Sequence, residues 1–255
     1  MSKIIQISTL GKYGRFGNQM FQYAFAKAYA RKVGAKLEIS MDWIGRKIFE
    51  IDDMPISKKL NKTPEDWVPT NQVNIDLFGY FQKQECLNLY SKNDVKKWFN
   101  IRDEYLNAVP EINKYYIAAH LRRGDYISKF SNVYCIVSEQ SYLHACDKFN
   151  LDRDKIIWFK EEKPHNNSKL DSSLCFLEDF INIMRANVIL RANSSFSWWA
   201  SALSDEEKTQ VYSPLVEDKK GQKDVEFVKG NWPCMWSVKN NKMGKYVKHG
   251  NLYLR

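Results

Sequence analysis

The chain has 255 residues, of which 44% are hydrophobic and 14% are aromatic. This composition excludes a disordered chain, and the length is sufficient for one large core or two smaller ones. Lys and Arg number 39 against 30 Asp and Glu, which gives a formal charge of +9. That charge favours a polyanion, a phosphorylated small molecule or an anionic membrane surface as partner, without choosing among them.

Targeting and metal-binding patterns are both missing from the sequence. No stretch approaches the ~18 consecutive apolar residues of a membrane span, and the first ten residues lack the apolar region of a signal peptide. We therefore expect a cytoplasmic protein. The five cysteines form no C-x-x-C pair and the four histidines are scattered, so neither a disulfide framework nor a zinc site is indicated.

The first half of the chain predicts strands and helices in alternation. A β-branched strand at 3–8 leads through a glycine-rich loop at 9–18 into a helix at 19–34, with Asn18 as N-cap and Gly34 at its end. The predicted elements that follow are a strand at 35–40, an irregular stretch at 41–73, a strand at 73–81 and a helix at 84–99. A boundary between two domains is weakly indicated near 104–112.

The second half alternates more regularly. Strands are predicted at 114–120, 155–160, 188–192 and 210–214, and helices at 138–150, 175–187 and 195–204. Such alternation is typical of parallel sheets covered by helices on both faces, and two such halves indicate twin nucleotide-fold domains.

Three unusual segments follow predicted strands, where parallel α/β sheets bind their ligands. They are "GKYGRFGN" (11–18), "HLRRGDY" (120–126) and "RANSSFSWW" (191–199). The first matches neither the dinucleotide fingerprint nor a Walker loop, and a plain tight loop explains it equally well. The coincidence of all three at strand ends is the main sequence evidence for a binding site.

The segment 120–126 places two permanent cations side by side. Arg122 and Arg123 each carry a planar fork of donors that suits phosphate or carboxylate oxygens. Neighbouring side chains on extended backbone point in opposite directions, so we expect one arginine to face a ligand and the other to form an ion pair, with Asp125 as a candidate. A solvated basic turn is the alternative.

The segment 193–199 combines hydroxyl groups with the start of a helix, where unpaired N–H groups and the macrodipole favour anions. The alternative is that Asn193, Ser194 or Ser195 only caps the helix. The D-x-D segment at 152–154 precedes a strand, so we expect no metal there, and arginines would neutralise a leaving diphosphate instead.

Three segments together resemble the signature motifs of the α-1,2-fucosyltransferases of glycosyltransferase family 11. They are "GRFGNQMFQYAFAKAYA" (14–30), "HLRRGDY" (120–126) and "NSSFSWWASAL" (193–203), in that order. The resemblance implies an α/β, GT-B-like fold of two facing Rossmann-type domains with parallel sheets. It implies an acceptor-side domain at 1–108, a nucleotide-sugar-binding domain at 109–255, a GDP-β-L-fucose donor, inversion and no metal or other cofactor.

The resemblance also assigns roles to residues. Arg122 would hold the diphosphate, and Arg15 and Asn18 would face the reacting sugar as the other catalytic residues. The nucleotide-binding set implied by the motifs comprises Gly14, Gly17, His120, Arg122, Arg123, Asp125, Asp179, Asn193, Ser194, Ser195, Phe196 and Ser197. Asp179 would accept hydrogen bonds from the guanine edge.

The expected activity is transfer of L-fucose to the 2-hydroxyl of a galactoside in an oligosaccharide or glycolipid. One segment departs from the family, which commonly has F-S-D-D where this chain has Lys160, Glu161 and Glu162. Two alternatives stay open: a related enzyme with another GDP-sugar or acceptor hydroxyl, and a non-catalytic nucleic-acid-binding protein. Dispersed lysines and the absence of nucleic-acid-binding motifs argue against the nucleic-acid-binding protein, so no nucleic acid is expected as a partner. Peripheral contact with a membrane is a further expectation.

Overall fold

A computed structural model describes residues 2–160, 169–216 and 219–231, in two compact units. One unit ends at Arg102 and the other begins at Asp103. Glu161 and Glu162, in the segment that departs from the family pattern, lie outside the described residues, as does the chain after Asn231. Within the described part, no helix has both the length and the apolar composition needed to cross a bilayer.

The first unit contains a parallel sheet of four strands in the order β3-β2-β1-β4. The strands are β1 (Ile4–Ile7), β2 (Lys36–Ile39), β3 (Met54–Pro55) and β4 (Ile75–Asp76). Its helices are α1 (Phe16–Val33), α2 (Gly45–Ile48), α3 (Gln84–Leu87) and α4 (Lys92–Trp98).

Helix α1 begins three residues earlier than the sequence predicted. Its N-cap is Arg15, in extended backbone, and Asn18 lies in the first turn, so the prediction that Asn18 is the cap is wrong. The first turn closes through the Gln19 amide, which donates to the Arg15 carbonyl at 3.0 Å. Gly34 ends the helix in the left-handed conformation, as predicted.

The predicted single helix at 84–99 is two helices. Ser91 caps α4 by accepting from the Asp94 amide, and the Asp94 carboxylate accepts from the Ser91 amide at 2.9 Å. This capping box starts a new helix, because it satisfies two backbone donors that a continuous helix would use internally. The predicted strand at 73–81 is also too long, since only β4 pairs and residues 77–82 form a loop.

The second unit is built around a five-stranded sheet in the order β11-β9-β8-β5-β7, in which only the β11–β9 pair is antiparallel. A separate parallel pair joins β6 and β10. The strands are β5 (Ile117–Leu121), β6 (Cys135–Val137), β7 (Ile156–Lys160), β8 (Val188–Leu190), β9 (Gln210–Pro214), β10 (Gly221–Lys223) and β11 (Phe227–Lys229). The helices are α5 (Asp103–Ala108), α6 (Gly124–Ser128), α7 (Glu139–Phe149), α8 (Cys175–Arg185) and α9 (Ser195–Leu203).

These parallel-rich sheets confirm the predicted α/β fold class. All five β5 residues are buried, and the core of the second unit forms around Ile117, Ala119 and Leu190. Four of its five residues are apolar because helices cover both faces of a parallel sheet. Some short elements were not predicted from the sequence: α2, β3, α5, α6, β6, β10 and β11.

Each sheet has a point at which its chain order reverses. In the first unit β1 lies between β2 and β4, and in the second β5 lies between β7 and β8. Connections leave such a pair of strands in opposite directions and open a crevice at their carboxyl ends, where α/β folds bind ligands. The loops after β1 and β4, and those after β5 and β8, therefore lie at the places to search for a site.

Candidate functional site

The loops after β5 and β8 leave the same edge of the second sheet. The two strands are neighbours, with Ile117 opposite Val188 in the parallel register. The Tyr126 hydroxyl, on the short helix α6 after β5, donates to the Asn193 carbonyl in the loop after β8 at 3.0 Å. The fold thus brings together two of the three segments that the sequence singled out, although about 70 residues separate them in the chain.

The two arginines make different contacts. Arg122 pairs with Asp125, with 2.5 Å between Nη2 and Oδ1, and its guanidinium lies 5.0 Å from the centre of the Tyr126 ring. Arg123 donates from Nη1 to the Val137 carbonyl at 2.8 Å. The arginine expected to bind the ligand is therefore the one that pairs with Asp125, while Arg123 ties the loop to β6. Asp125 and the Tyr126 ring fix the direction of the Arg122 fork.

His120 is a buried, neutral imidazole at the end of β5. Burial lowers the pKa of His120 to about 3, and the nearby charges of Arg122 and Arg191 act in the same direction. Its carbonyl accepts from the Tyr142 hydroxyl at 2.6 Å, whereas its Nδ1 has no hydrogen-bond partner among the described residues. At neutral pH this side chain can donate or accept a hydrogen bond, and it carries no charge.

Helix α9 begins with a hydroxyl-rich turn. Ser194 is the N-cap, and its Oγ accepts from the Phe196 amide at 3.3 Å, so capping by Ser194 is confirmed. Ser195 opens the helix, whose positive dipole end favours an anion. The cap satisfies only one amide of the first turn, and other amides of that turn can still bind an anion. Ser194 can therefore cap the helix while the helix start binds a ligand.

Three buried side chains in this region contain polar atoms without a partner in the described part of the chain. They are Nδ1 of His120, the amide group of Asn193 and the hydroxyl of Ser197. The His120 ring lies 5.6 Å from that of Phe196, which is adjacent to Ser197 in the chain. Each unsatisfied buried group costs roughly 1–3 kcal/mol, so this cluster favours the sheet edge as a binding site for a polar ligand.

The carboxylate predicted to bind guanine lies on the helix packed against this turn. Asp179 is on α8 and is 9% exposed. The adjacent Phe180 ring contacts Phe196 edge to face, with 5.2 Å between ring centres. Phe196 therefore packs between the imidazole of β5 and the aromatic ring of α8, which places Asp179 in the same region as the other predicted residues.

Sequence reasoning missed Arg191, a fully buried arginine directly after β8. Its Nη1 donates to Asn231 Oδ1 at 2.8 Å, and the Asn231 amide donates to the Trp198 carbonyl at 3.2 Å. This chain of contacts braces the loop after β8 against helix α9. A lone charged residue at the end of an apolar strand was the available signal, since buried arginines need partners.

The remaining predicted residues belong to the first unit. Gly14 has a φ of 74°, and an added Cβ would lie 2.8 Å from both Asn18 Cβ and Tyr80 Cε1. Asn18 accepts from Gln82 Nε2 at 2.9 Å, and Arg15 is exposed at the helix start. Gly17 is buried in the first turn of α1. These residues lie at the carboxyl edge of the first sheet, between the loops after β1 and β4.

Charged side chains also group at two other places in the described part of the chain. A cavity of about 340 Å³ lies near the amino end of β2 and is lined by Lys27, Arg31 and Asp53, among others. Lys27 forms an ion pair with Asp53, and Arg31 forms one with Asp94. The carboxylate of Asp152 caps the turn before β7, on the amino side of the sheet as predicted. Within the described residues, no three His, Cys, Asp or Glu side chains converge as metal ligands would.

Comparisons with known proteins agree with these observations. The model of glycosyl transferase family 11 matches residues 68–235, about two thirds of the chain. An α-1,2-colitosyltransferase from Escherichia coli is 26% identical over 253 residues, which cover 75% of this chain and 86% of that protein.

Solved fucosyltransferase structures share the fold. NodZ from Bradyrhizobium, an α-1,6-fucosyltransferase soaked with GDP-fucose, matches with a TM-score of 0.56 at 12% identity, over 90% of this chain and 99% of that one. FUT1 from Arabidopsis thaliana in complex with GDP matches with a TM-score of 0.50 at 9% identity, over 89% and 74% of the two chains. The likeness confirms the GT-B-like fold class.

Proposed function

The chain belongs to glycosyl transferase family 11, and on that premise we propose that it transfers L-fucose from GDP-β-L-fucose to a glycan hydroxyl. The linkage is α-1,2, formed with inversion on the 2-hydroxyl of a galactoside in an oligosaccharide or glycolipid. The observation that carries the proposal is the group of buried polar atoms that have no partner among the described residues and lie beside Arg122, at the chain reversal of the second sheet.

The reaction is one in-line displacement. The acceptor oxygen forms a bond to the anomeric carbon while the bond from that carbon to the phosphate oxygen breaks, so GDP leaves with the electron pair. The hydroxyl proton passes to a base or to a phosphate oxygen. Negative charge develops on the departing diphosphate, and donors aimed at that charge lower the barrier.

The second unit supplies those donors. Arg122 contacts the diphosphate through its planar fork, and the start of α9, with Ser194 and Ser195, adds hydroxyl and amide donors. Each hydrogen bond to a charged group contributes about 1.5–3 kcal/mol. The Arg122 cation and the positive end of the α9 dipole offset the leaving charge, and we propose that no metal takes part.

Buried neutral groups bind the rest of the nucleotide. Asn193, Ser197 and the uncharged His120 can pair with hydroxyl and base edges without an ionic cost, and Asp179 accepts from the guanine edge. A site built to pair polar ligand groups rejects a nucleotide that lacks them. We therefore expect discrimination for GDP over UDP and ADP.

A second donor is favoured by one observation. The Escherichia coli relative, which this chain matches over most of its length, is named an α-1,2-colitosyltransferase. Colitose is L-fucose without its 3-hydroxyl, so GDP-colitose presents the same nucleotide and anomeric centre. The α-1,2 linkage is common to both readings, and the donor sugar distinguishes them.

One experiment separates these outcomes. The protein is incubated with GDP-fucose or GDP-colitose and a panel of galactosides, with EDTA present, and products are analysed by mass spectrometry and NMR. We expect a mass gain of one deoxyhexose and a new linkage at the 2-position. Transfer only from GDP-colitose would reassign the donor, loss of activity with EDTA would refute metal independence, and no transfer from either donor would refute the proposal.

Ligand binding gives an independent test. GDP at 100 times its Kd should stabilise the protein by ~2.7 kcal/mol, which is measurable as a rise in Tm. UDP and ADP at the same concentration should give a much smaller rise. An absence of any GDP effect would contradict the assignment of the second-unit residues.

A further inference from the structure

The first turn of helix α9 is held by a residue from a distant part of the chain. The Trp198 amide closes this turn by donating to the Ser194 carbonyl at 3.1 Å. The Trp198 carbonyl accepts from the Ser201 hydroxyl at 2.8 Å within the helix, and from the side-chain amide of Asn231 at 3.2 Å. Asn231 follows β11 and lies 33 residues further along the chain than Trp198. A tertiary contact therefore supports the turn at which the diphosphate is proposed to bind.

The backbone just before Asn231 is fixed to strand β9. Gly230 has a φ of 112°, a conformation that favours glycine, and it turns the chain away from β11. Its amide donates to the Val211 carbonyl at 2.6 Å, and its carbonyl accepts from the Ser213 hydroxyl at 2.5 Å. Because this backbone is already ordered, Asn231 loses little further conformational entropy when its side chain binds α9.

The other end of the Asn231 side chain binds Arg191. This arginine is fully buried, and its Nη1 donates to Asn231 Oδ1 at 2.8 Å. A guanidinium can only donate and a backbone carbonyl can only accept, so these two partners define the orientation of the Asn231 amide group. We call Arg191 and Asn231, with their contact to the Trp198 carbonyl, the α9 clasp.

The α9 clasp lies on the same face of the second sheet as His120. Ala119 pairs with Leu190 in the register of β5 and β8, and both residues belong to the core cluster that includes α7. The next residues, His120 and Arg191, therefore point to the opposite face, where the imidazole contacts a ring of the first α9 turn. Burial and two neighbouring arginine charges, one of them that of Arg191, lower the pKa of His120 to about 3.

The supported turn also contains polar groups that its own packing does not use. The amide group of Asn193 and the hydroxyl of Ser197 are buried and have no partner among the residues that the structure describes. Donors that stabilise a developing charge must be held in place before the reaction, and a displacement of about 1 Å can cost about 100-fold in rate. A rigid support at this turn is therefore a requirement of the proposed chemistry.

We propose that Arg191 and Asn231 are positioning residues for the donor, and that the α9 clasp holds the first turn of α9 in the orientation that binds the diphosphate. They act through the Trp198 carbonyl and need not touch the ligand. The inference rests on the proposed function, and it adds two residues that lie outside the three segments that resemble the family motifs.

Two substitutions of Asn231 separate its contacts. Asn231→Ala removes both, whereas Asn231→Asp retains an acceptor for Arg191 but cannot donate to the Trp198 carbonyl. We expect both variants to raise the Kd of GDP about 3- to 10-fold, as the loss of one hydrogen bond would. Asn231→Asp should nevertheless have a ligand-free Tm at or above that of Asn231→Ala, because its carboxylate pairs with a buried cation.

Guanosine and a matched variant distinguish positioning from general stability. Guanosine lacks the diphosphate, so its Kd should be the same in the Asn231 variants as in the wild type. The control is Asn187→Ala, which removes a half-buried asparagine at the opposite edge of the same sheet, where its Oδ1 accepts from the Tyr116 amide at 3.1 Å. This control should lower the ligand-free Tm without changing the Kd of GDP.

Calorimetry measures the Kd of GDP, and saturation-transfer NMR measures that of guanosine. A wild type that binds GDP, together with Asn231 variants of unchanged GDP affinity, would overturn the clasp and leave the proposed function standing. Equal weakening of GDP and guanosine, or the same loss of GDP affinity in Asn187→Ala, would show a purely structural role and overturn it as well. A folded wild type that does not bind GDP would refute the proposed function and the clasp with it.

Discussion

Replacement of Arg122 by alanine tests the proposed diphosphate contact most directly. The Arg122 side chain is 12% exposed and its partner Asp125 is 21% exposed, so the ion pair is only weakly screened by solvent. The variant removes the cation that is proposed to accept the leaving charge. It also removes a counterion of Asp125, which then adds its negative charge to a site that has to bind a diphosphate.

The size of the effect follows from the strength of charged hydrogen bonds. Loss of ~1.5–3 kcal/mol in the transition state lowers kcat/KM about 10- to 100-fold. The double variant Arg122→Ala/Asp125→Asn removes the repulsive carboxylate as well. We expect it to recover roughly 1 kcal/mol, or about 5-fold, relative to the single variant, because contacting residues are energetically coupled.

The assay is the initial rate of transfer as a function of donor concentration, with Tm measured without ligand to verify folding. Arg122→Lys retains the charge but not the planar fork, so its rate should fall between those of wild type and Arg122→Ala. A kcat/KM within two-fold of wild type for a folded Arg122→Ala protein would refute the assignment. A double variant as impaired as the single one would show that Asp125 exerts no repulsion.

Three further predictions concern stability. The lowered pKa of His120 means that the folded protein binds fewer protons than the unfolded chain between about pH 3 and 6.5. The free energy of unfolding should therefore fall on acidification, by up to ~1.4 kcal/mol per pH unit. Urea unfolding at several pH values should show a shallower dependence of this free energy on pH for His120→Gln. Gly14→Ala should lower the free energy of unfolding by ~1–2 kcal/mol or more, because a crowded Cβ against Tyr80 adds to the strain of its positive φ. Gly34→Ala also has a positive φ but open space around it, so it should lower this free energy less. Equal losses in the two variants would refute the contribution of crowding. Ser91→Ala should cost about 1 kcal/mol by loss of the capping box, and Ser91→Thr should restore most of it.

Patterns of neighbouring residues in the sequence correctly predicted elements that are set by a helix cap or by an apolar run. Helix α7 begins after Ser138 and β5 is buried throughout, as the hydroxyl cap and the apolar run indicated. Predictions were wrong where a tertiary contact competes with periodicity. The apolar run 73–81 is typical of a strand, but Asp66 binds two of its amides and bends the chain after β4.

The sequence by itself determined the chemistry available to this protein: paired arginines, a hydroxyl-rich helix start and glycine-bearing loops, each placed after a strand by short-range pattern. Only the tertiary structure decided which of these groups meet, because strand order depends on pairing between distant segments that no local pattern records. The adjacency of β5 and β8, the pairing of Asp125 with Arg122, the bracing by Arg191 and the stack of Tyr80 on Tyr13 all follow from that pairing.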